Sequence, residues 1–121
     1  MADPFIHHLV PAAEYAALPA GADYLPSQFA ADGFIHCTLE LDVLRHIANT
    51  FYRDVPGDFL VLVIDPARVT AELRYEAPSP TPAAGPLTGR LFPHIYGPLN
   101  ADAVVAVRTA QRAPDGTFLA L

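Results

Sequence analysis

A single α+β domain in which strands outnumber helices is the fold class this sequence predicts, and three observations predict it. The chain has 121 residues, of which 52% are hydrophobic and only 17% charged, enough for one real core and too apolar for intrinsic disorder. Short runs of branched and aromatic residues recur along it, separated by turn formers. Helical periodicity is sustained over one segment, and a second, shorter one is made of good helix formers behind a proline.

The elements follow in order. Residues 5–10 are rich in aromatic and branched side chains and predict a strand. Pro11 then occupies a first helical position ahead of the good helix formers of 12–18. Residues 19–27, with two prolines and a glycine, predict a loop with a little extended structure. A second strand covers 34–37, entered from Gly33. Thr38 is placed to cap the second helix, with Glu40 and Asp42 in its first turn, where negative charge suits the helix dipole. Leu41, Leu44, Ile47, Ala48 and Phe51 recur at three and four residues and predict its buried face.

The uninterrupted apolar run 59–64 predicts a central strand covered on both faces, ended by Asp65-Pro66. Residues 71–76 alternate, with Leu73 and Tyr75 on one face and Glu72, Arg74 and Glu76 on the other. The stretch 78–89 holds four prolines and two glycines and predicts a loop. Residues 103–108 predict a further strand, and Pro114-Asp115-Gly116 predicts the turn of a terminal hairpin. Neither an internal repeat nor an interdomain linker is evident.

Charge and composition exclude several classes of function. The formal net charge is −6, and the basic side chains are seven dispersed arginines without a lysine. A nucleic-acid partner needs a basic patch, so none is expected; one small phosphorylated ligand would need only one or two of these arginines. The longest apolar run is far too short to span a bilayer, and the first residues lack the pattern of a signal peptide. A single cysteine, Cys37, cannot close an internal disulfide. Together these features predict a cytoplasmic protein without a membrane partner.

The chemistry concentrates in two histidine-centred runs, Gly33-Phe34-Ile35-His36-Cys37-Thr38 and Phe92-Pro93-His94-Ile95-Tyr96-Gly97-Pro98-Leu99-Asn100. A third histidine pair, His7-His8, sits in the first strand. Each imidazole is equally explained as a structural group bonded to backbone carbonyls. Strand alternation turns Cys37 away from His36 and into the core, which argues against a cysteine nucleophile. Metal-ligand spacings are absent, although a three-histidine site from His7 or His8, His36 and His94 stays open. His46 falls off the apolar stripe and is expected in solvent. In the second run, Tyr96 or Phe92 could stack on a planar ligand while Asn100 hydrogen-bonds to it. Glu76 is by default a solvated carboxylate at a strand end.

The combination of the Phe-Ile-His strand, Asp32-Gly33-Phe34-Ile35-His36-Cys37-Thr38, Tyr75-Glu76 and Phe92-Pro93-His94-Ile95-Tyr96-Gly97-Pro98-Leu99 resembles domain-of-unknown-function family 952, small uncharacterised bacterial proteins. The resemblance covers nearly the whole chain. It implies the ADP-ribosyltransferase-like fold, a split, strongly curved β structure with short helices whose cleft holds NAD or an ADP-ribose group. Ile35-His36-Cys37-Thr38 is similar to the His-Val-His-Leu-Ser run of tRNA 2′-phosphotransferases. Ile6-His7-His8 is a looser match to their His-Gly-Thr run and lacks its Gly-Thr. The resemblance then implies that His7 and His36 line a nucleotide cleft, with Thr38 beside them; Tyr96 and Asn100, read from their own run, would flank a ring of the ligand and hydrogen-bond to it. Glu76 is the counterpart of a late catalytic glutamate, with Arg74 where a partner residue would stand.

The expected function is therefore binding of an NAD- or ADP-ribose-like nucleotide in a histidine-lined cleft. Transfer at the anomeric carbon would be served by Glu76 and His94. A histidine-dependent hydrolase, with or without a metal, and a non-catalytic binding module are the alternatives.

Overall fold

A computed structural model of the chain describes residues 5–78 and 89–121. Apart from its two ends, the proline-rich stretch between them lies outside the described residues, as do the first four residues. Within them the protein is a strand-rich α+β structure built on antiparallel sheets. The elements are β1 (Ile6–Pro11), α1 (Ala12–Ala16), α2 (Phe29–Asp32), β2 (Ile35–His36), α3 (Leu41–Phe51), β3 (Phe59–Ile64), β4 (Glu72–Glu76), β5 (Phe92–Tyr96), β6 (Val104–Thr109), β7 (Gln111–Arg112) and β8 (Phe118–Ala120). One-turn 3-10 segments, Pro66–Arg68 and Ala101–Ala103, follow β3 and precede β6.

One sheet has the order β1-β3-β6 and the other β2-β5-β4, while β7 and β8 form the expected terminal hairpin. The apolar run of β3 takes the centre of the first sheet, as its composition predicts. Alternation along β1 and β3 turns Ile6, Val10, Leu62 and Ile64 to one side, where they pack against Ile35, Cys37 and Ile95 of the second sheet's segments. Ala48 of α3, Phe59 and Phe118 form a second cluster, joined by the half-buried Leu9 of β1. The first sheet is thus covered by the second sheet on one face and by α3 with the hairpin on the other. The two sheets meet at one antiparallel bridge, in which the N–H of His7 donates to Thr38 O and that of Thr38 to His7 O, each at 2.8 Å.

The structure corrects the expected elements in four places. There are three α-helices among the described residues, not two, because α2 is a single turn ended by Gly33 at φ +81°. Thr38 does not cap α3; its backbone is held extended by the bridge to His7, and Glu40 takes the cap position. On α3, Val43 is buried and Phe51 is 58% exposed, so the buried stripe is rotated from the one expected. Residues 92–96, expected only as a motif leading into a turn, form the central strand of the second sheet. Proline is unusual there because it has no N–H to donate. Here Pro93 accepts from Cys37 N just beyond the two-residue β2, so its missing donor falls at the ladder's end.

Candidate functional site on the outer face of the second sheet

The cross-strand register builds the site. Arg74 of β4 lies opposite His94 of β5, and His94 opposite His36 of β2, so three basic side chains form one row across the sheet. Glu72 pairs with Tyr96 in the next row, and Glu76 with Phe92. Alternation places all of these on the face turned away from Ile95 and Leu73, hence away from the core.

His94 is the centre of the cluster. Its side chain is only 2% exposed, and its Nδ1 lies 2.9 Å from Glu76 Oε1. Tyr96 donates its hydroxyl to the same Oε1. These two bonds hold the Glu76 carboxyl below its usual range, the tyrosine's contribution being the larger, so it is a carboxylate that accepts from both. Donation raises the Tyr96 hydroxyl and keeps it protonated. With Nδ1–H directed at Glu76, the neutral imidazole carries its lone pair on Nε2. Burial holds His94 below the usual histidine value and keeps that form populated at neutral pH. Among the described residues no fully buried side-chain nitrogen or oxygen lacks a partner, so Nε2, which has none, is reached by solvent.

Aromatic rings frame this nitrogen. Phe34 stacks on His94 with centroids 4.0 Å apart and an interplanar angle of 24°. The His36 ring stands edge-on to His94 at 5.7 Å, with its Nε2 donating to Asp32 at 3.0 Å. The Arg74 guanidinium lies 4.7 Å from the Tyr96 ring centroid and donates to Glu72 at 2.6 Å.

The expected site residues divide accordingly. His36, His94, Glu76 and Tyr96 come together, and Glu76 is tied into the cluster, not freely solvated as its default placement had it. His7 and Thr38 join the sheets instead, with His7 Nδ1 donating to the carbonyls of Leu39 at 3.0 Å and Thr38 at 3.2 Å. Asn100 is elsewhere: its amide ties the two 3-10 segments, donating to Arg68 O at 2.8 Å and accepting from Thr70 N at 3.1 Å. Asp32, Phe34 and Glu72 belong to the cluster and were not expected in it. Their signal was available in period-two alternation with His36 and Arg74, and in the i,i+4 spacing of Asp32 and His36. His46 is exposed, as expected.

His8 is the histidine whose part was missed. Its Nδ1 donates to His36 O at 2.6 Å, and its Nε2 accepts from the Tyr24 hydroxyl at 2.9 Å. Both nitrogens are used, which removes it from the three-histidine site left open above. Among the described residues no three histidine, cysteine or carboxylate side chains converge where a metal could be held. No described helix is long and apolar enough to cross a membrane. Cys37 is buried in the core, and burial pushes its thiol up. A thiol reagent is expected to leave the folded protein unmodified and to label one equivalent once it is unfolded; fast labelling of the native protein would contradict this placement.

A strand-rich α+β fold with a carboxylate–imidazole pair on the outer face of its second sheet is now in view, and the chain belongs to the family of proteins of unknown function DUF952, which matches residues 9–107. Its fold is similar to that of protein CC0527 from Caulobacter crescentus. The X-ray structure of that protein matches with a TM-score of 0.75 and 23% identity over 94% of this chain and 92% of that one. A double mutant of it gives the same figures. Its solution NMR structure matches with a TM-score of 0.73 and 22% identity over 97% and 93% of the two chains. At that identity the likeness speaks to the fold alone. No curated protein matches the chain at a significant level.

Proposed function

We propose that the outer face of the second sheet is the acid–base centre of an enzyme acting on an NAD- or ADP-ribose-like nucleotide at its anomeric carbon. The observation that carries this is His94, buried except where Nε2 meets solvent and oriented through Nδ1 by the Glu76 carboxylate. An imidazole so held is a general base whose tautomer is set by its partner. In the reaction, Nε2 takes the proton of an attacking hydroxyl as its oxygen bonds to the anomeric carbon. The bond to the leaving group breaks with its electron pair, and Glu76 stabilises the positive charge that develops. Phe34 and Tyr96 flank the ring of the ligand. The division into two three-stranded antiparallel sheets supports the ADP-ribosyltransferase-like reading of the fold.

Among the described residues no hydroxyl or thiol is bonded to His94 Nε2, and in this proposal the attacking hydroxyl belongs to a second substrate. Water in that place makes the enzyme a histidine-dependent hydrolase using the same two residues. The test is incubation of the protein with NAD and chromatographic detection of released nicotinamide, alongside NMR titrations with ADP-ribose and AMP. His94→Gln is expected to lower turnover by about 10²–10⁴-fold. Because Nε2 must be unprotonated, activity should fall as pH drops through the His94 pKa. Turnover that survives His94→Gln would remove the dyad from the mechanism. Absence of both product and shifts would remove the nucleotide.

A further inference from the structure

We infer that the outer-face site recognises a planar organic cation, or the electropositive end of a larger ligand, and discriminates against anions. This rests on the outer face being the ligand site, not on its being catalytic. The side chains gathered there include three carboxylates, Asp32, Glu72 and Glu76, against one guanidinium, Arg74. Negative charge is in excess whichever form His36 takes. Arg74 is already ion-paired with Glu72, which leaves it a poor anchor for an incoming phosphate.

Two further observations point to a ligand. Both bonds to Glu76 fall on Oε1, so Oε2 accepts none among the described residues, although the side chain is 35% exposed. The second is His94 Nε2, on the edge of the ring opposite Glu76, the unpartnered nitrogen of a side chain 98% buried. A cation bearing N–H groups would satisfy Oε2 directly, and a neutral or cationic ring would lie against Phe34 and Tyr96. The chain supplies its own precedent, since the planar Arg74 guanidinium sits over Tyr96 with a carboxylate at its edge. A nucleotide would have to bring a cationic or neutral ring to this face and carry its phosphates elsewhere.

Three probes of one shape and different charge test this: benzamidinium, benzamide and benzoate, each titrated into the protein and followed by amide NMR shifts. Benzamidinium is expected to bind at least about tenfold more tightly than benzoate, with shifts centred on Phe34, Glu76 and Tyr96 and with benzamide between the two. Glu72→Gln, at a side chain 57% exposed where folding is not at stake, should narrow the ratio by releasing Arg74. Benzoate binding as tightly as benzamidinium would overturn the inference, as would shifts away from the outer face or a ratio indifferent to both Glu72→Gln and Glu76→Gln. Cation binding without turnover would leave it standing while removing the catalytic proposal; turnover of a nucleotide with no charge preference would do the reverse.

Discussion

Lowering the pH from 6.5 towards 4 is expected to remove about 3 kcal/mol of folding stability through one imidazole, that of His8. His8 is buried in register with Ile6 and Val10 on the core face of β1, and burial pushes its pKa down from 6.5 to about 4. Its bonding explains why it stays neutral. Nδ1–H is given to His36 O and Nε2 accepts from Tyr24, so a second ring proton would have to displace the tyrosine's donor. In the unfolded chain the same ring protonates near its ordinary value.

The sign follows from the proton count. Between those two pH values the unfolded state binds a proton the folded state refuses, so stability is fully present above 6.5 and is lost as pH falls. His7 and His94, both lowered chiefly by burial, act in the same direction. Glu76 adds to the loss lower down, because a carboxyl whose pKa is depressed by native hydrogen bonds stabilises the fold above its unfolded value and ceases to do so once protonated. Urea unfolding at a series of pH values between 7.5 and 4.5 measures the slope, and the His8 ring resonances should not titrate where free histidine does. A stability flat across that range would mean that His8 is not a buried neutral group. His8→Gln keeps one donor and one acceptor without titrating, so it should be less stable at neutral pH yet show a shallower slope.

His8 also marks where sequence reading stopped. The strands β1, β3, β4 and β6 were legible because each is an apolar run or a clean alternation, and the terminal hairpin because its turn chemistry is explicit. β5 was not, since Pro93 argues against a central strand unless the partner strand is known to end beside it. His36 and His94 stood out as lone imidazoles among apolar neighbours. The partnership of His94 with Glu76 did not, because it depends on the register of β4 against β5, and no periodicity carries register between strands separated by a long connection. In the first strand, His7 was weighed through its likeness to another motif. The alternation of Ile6, His8 and Val10 already assigned the core position to its neighbour.

The second large effect is expected at Gly116 in the terminal hairpin, where alanine should cost on the order of 3 kcal/mol or more, lowering the melting temperature by about 10 °C. Its φ is +94°, and a Cβ there would lie 2.1 Å from Arg53 O and 3.2 Å from Arg112 Nη2. The close approach exists because Arg112 gathers carbonyls around one guanidinium. It donates to Gly57 O at 2.6 Å, to Arg53 O and Gly116 O at 3.0 Å and to Tyr52 O at 3.3 Å, with its Cζ 4.4 Å from the Phe118 ring centroid. That guanidinium therefore clamps the turn after α3 to the hairpin, and beneath it Phe59 and Phe118 meet edge to face. Gly21 provides the control. It too has positive φ, +78°, but nothing within 4 Å of a built Cβ, so alanine there meets only the backbone penalty of roughly 1 kcal/mol. Thermal unfolding of the two variants side by side separates conformational strain from steric contact. Equal losses would mean that the 53–58 turn is not held against the hairpin, and with it the role of Arg112 as its clamp would fall.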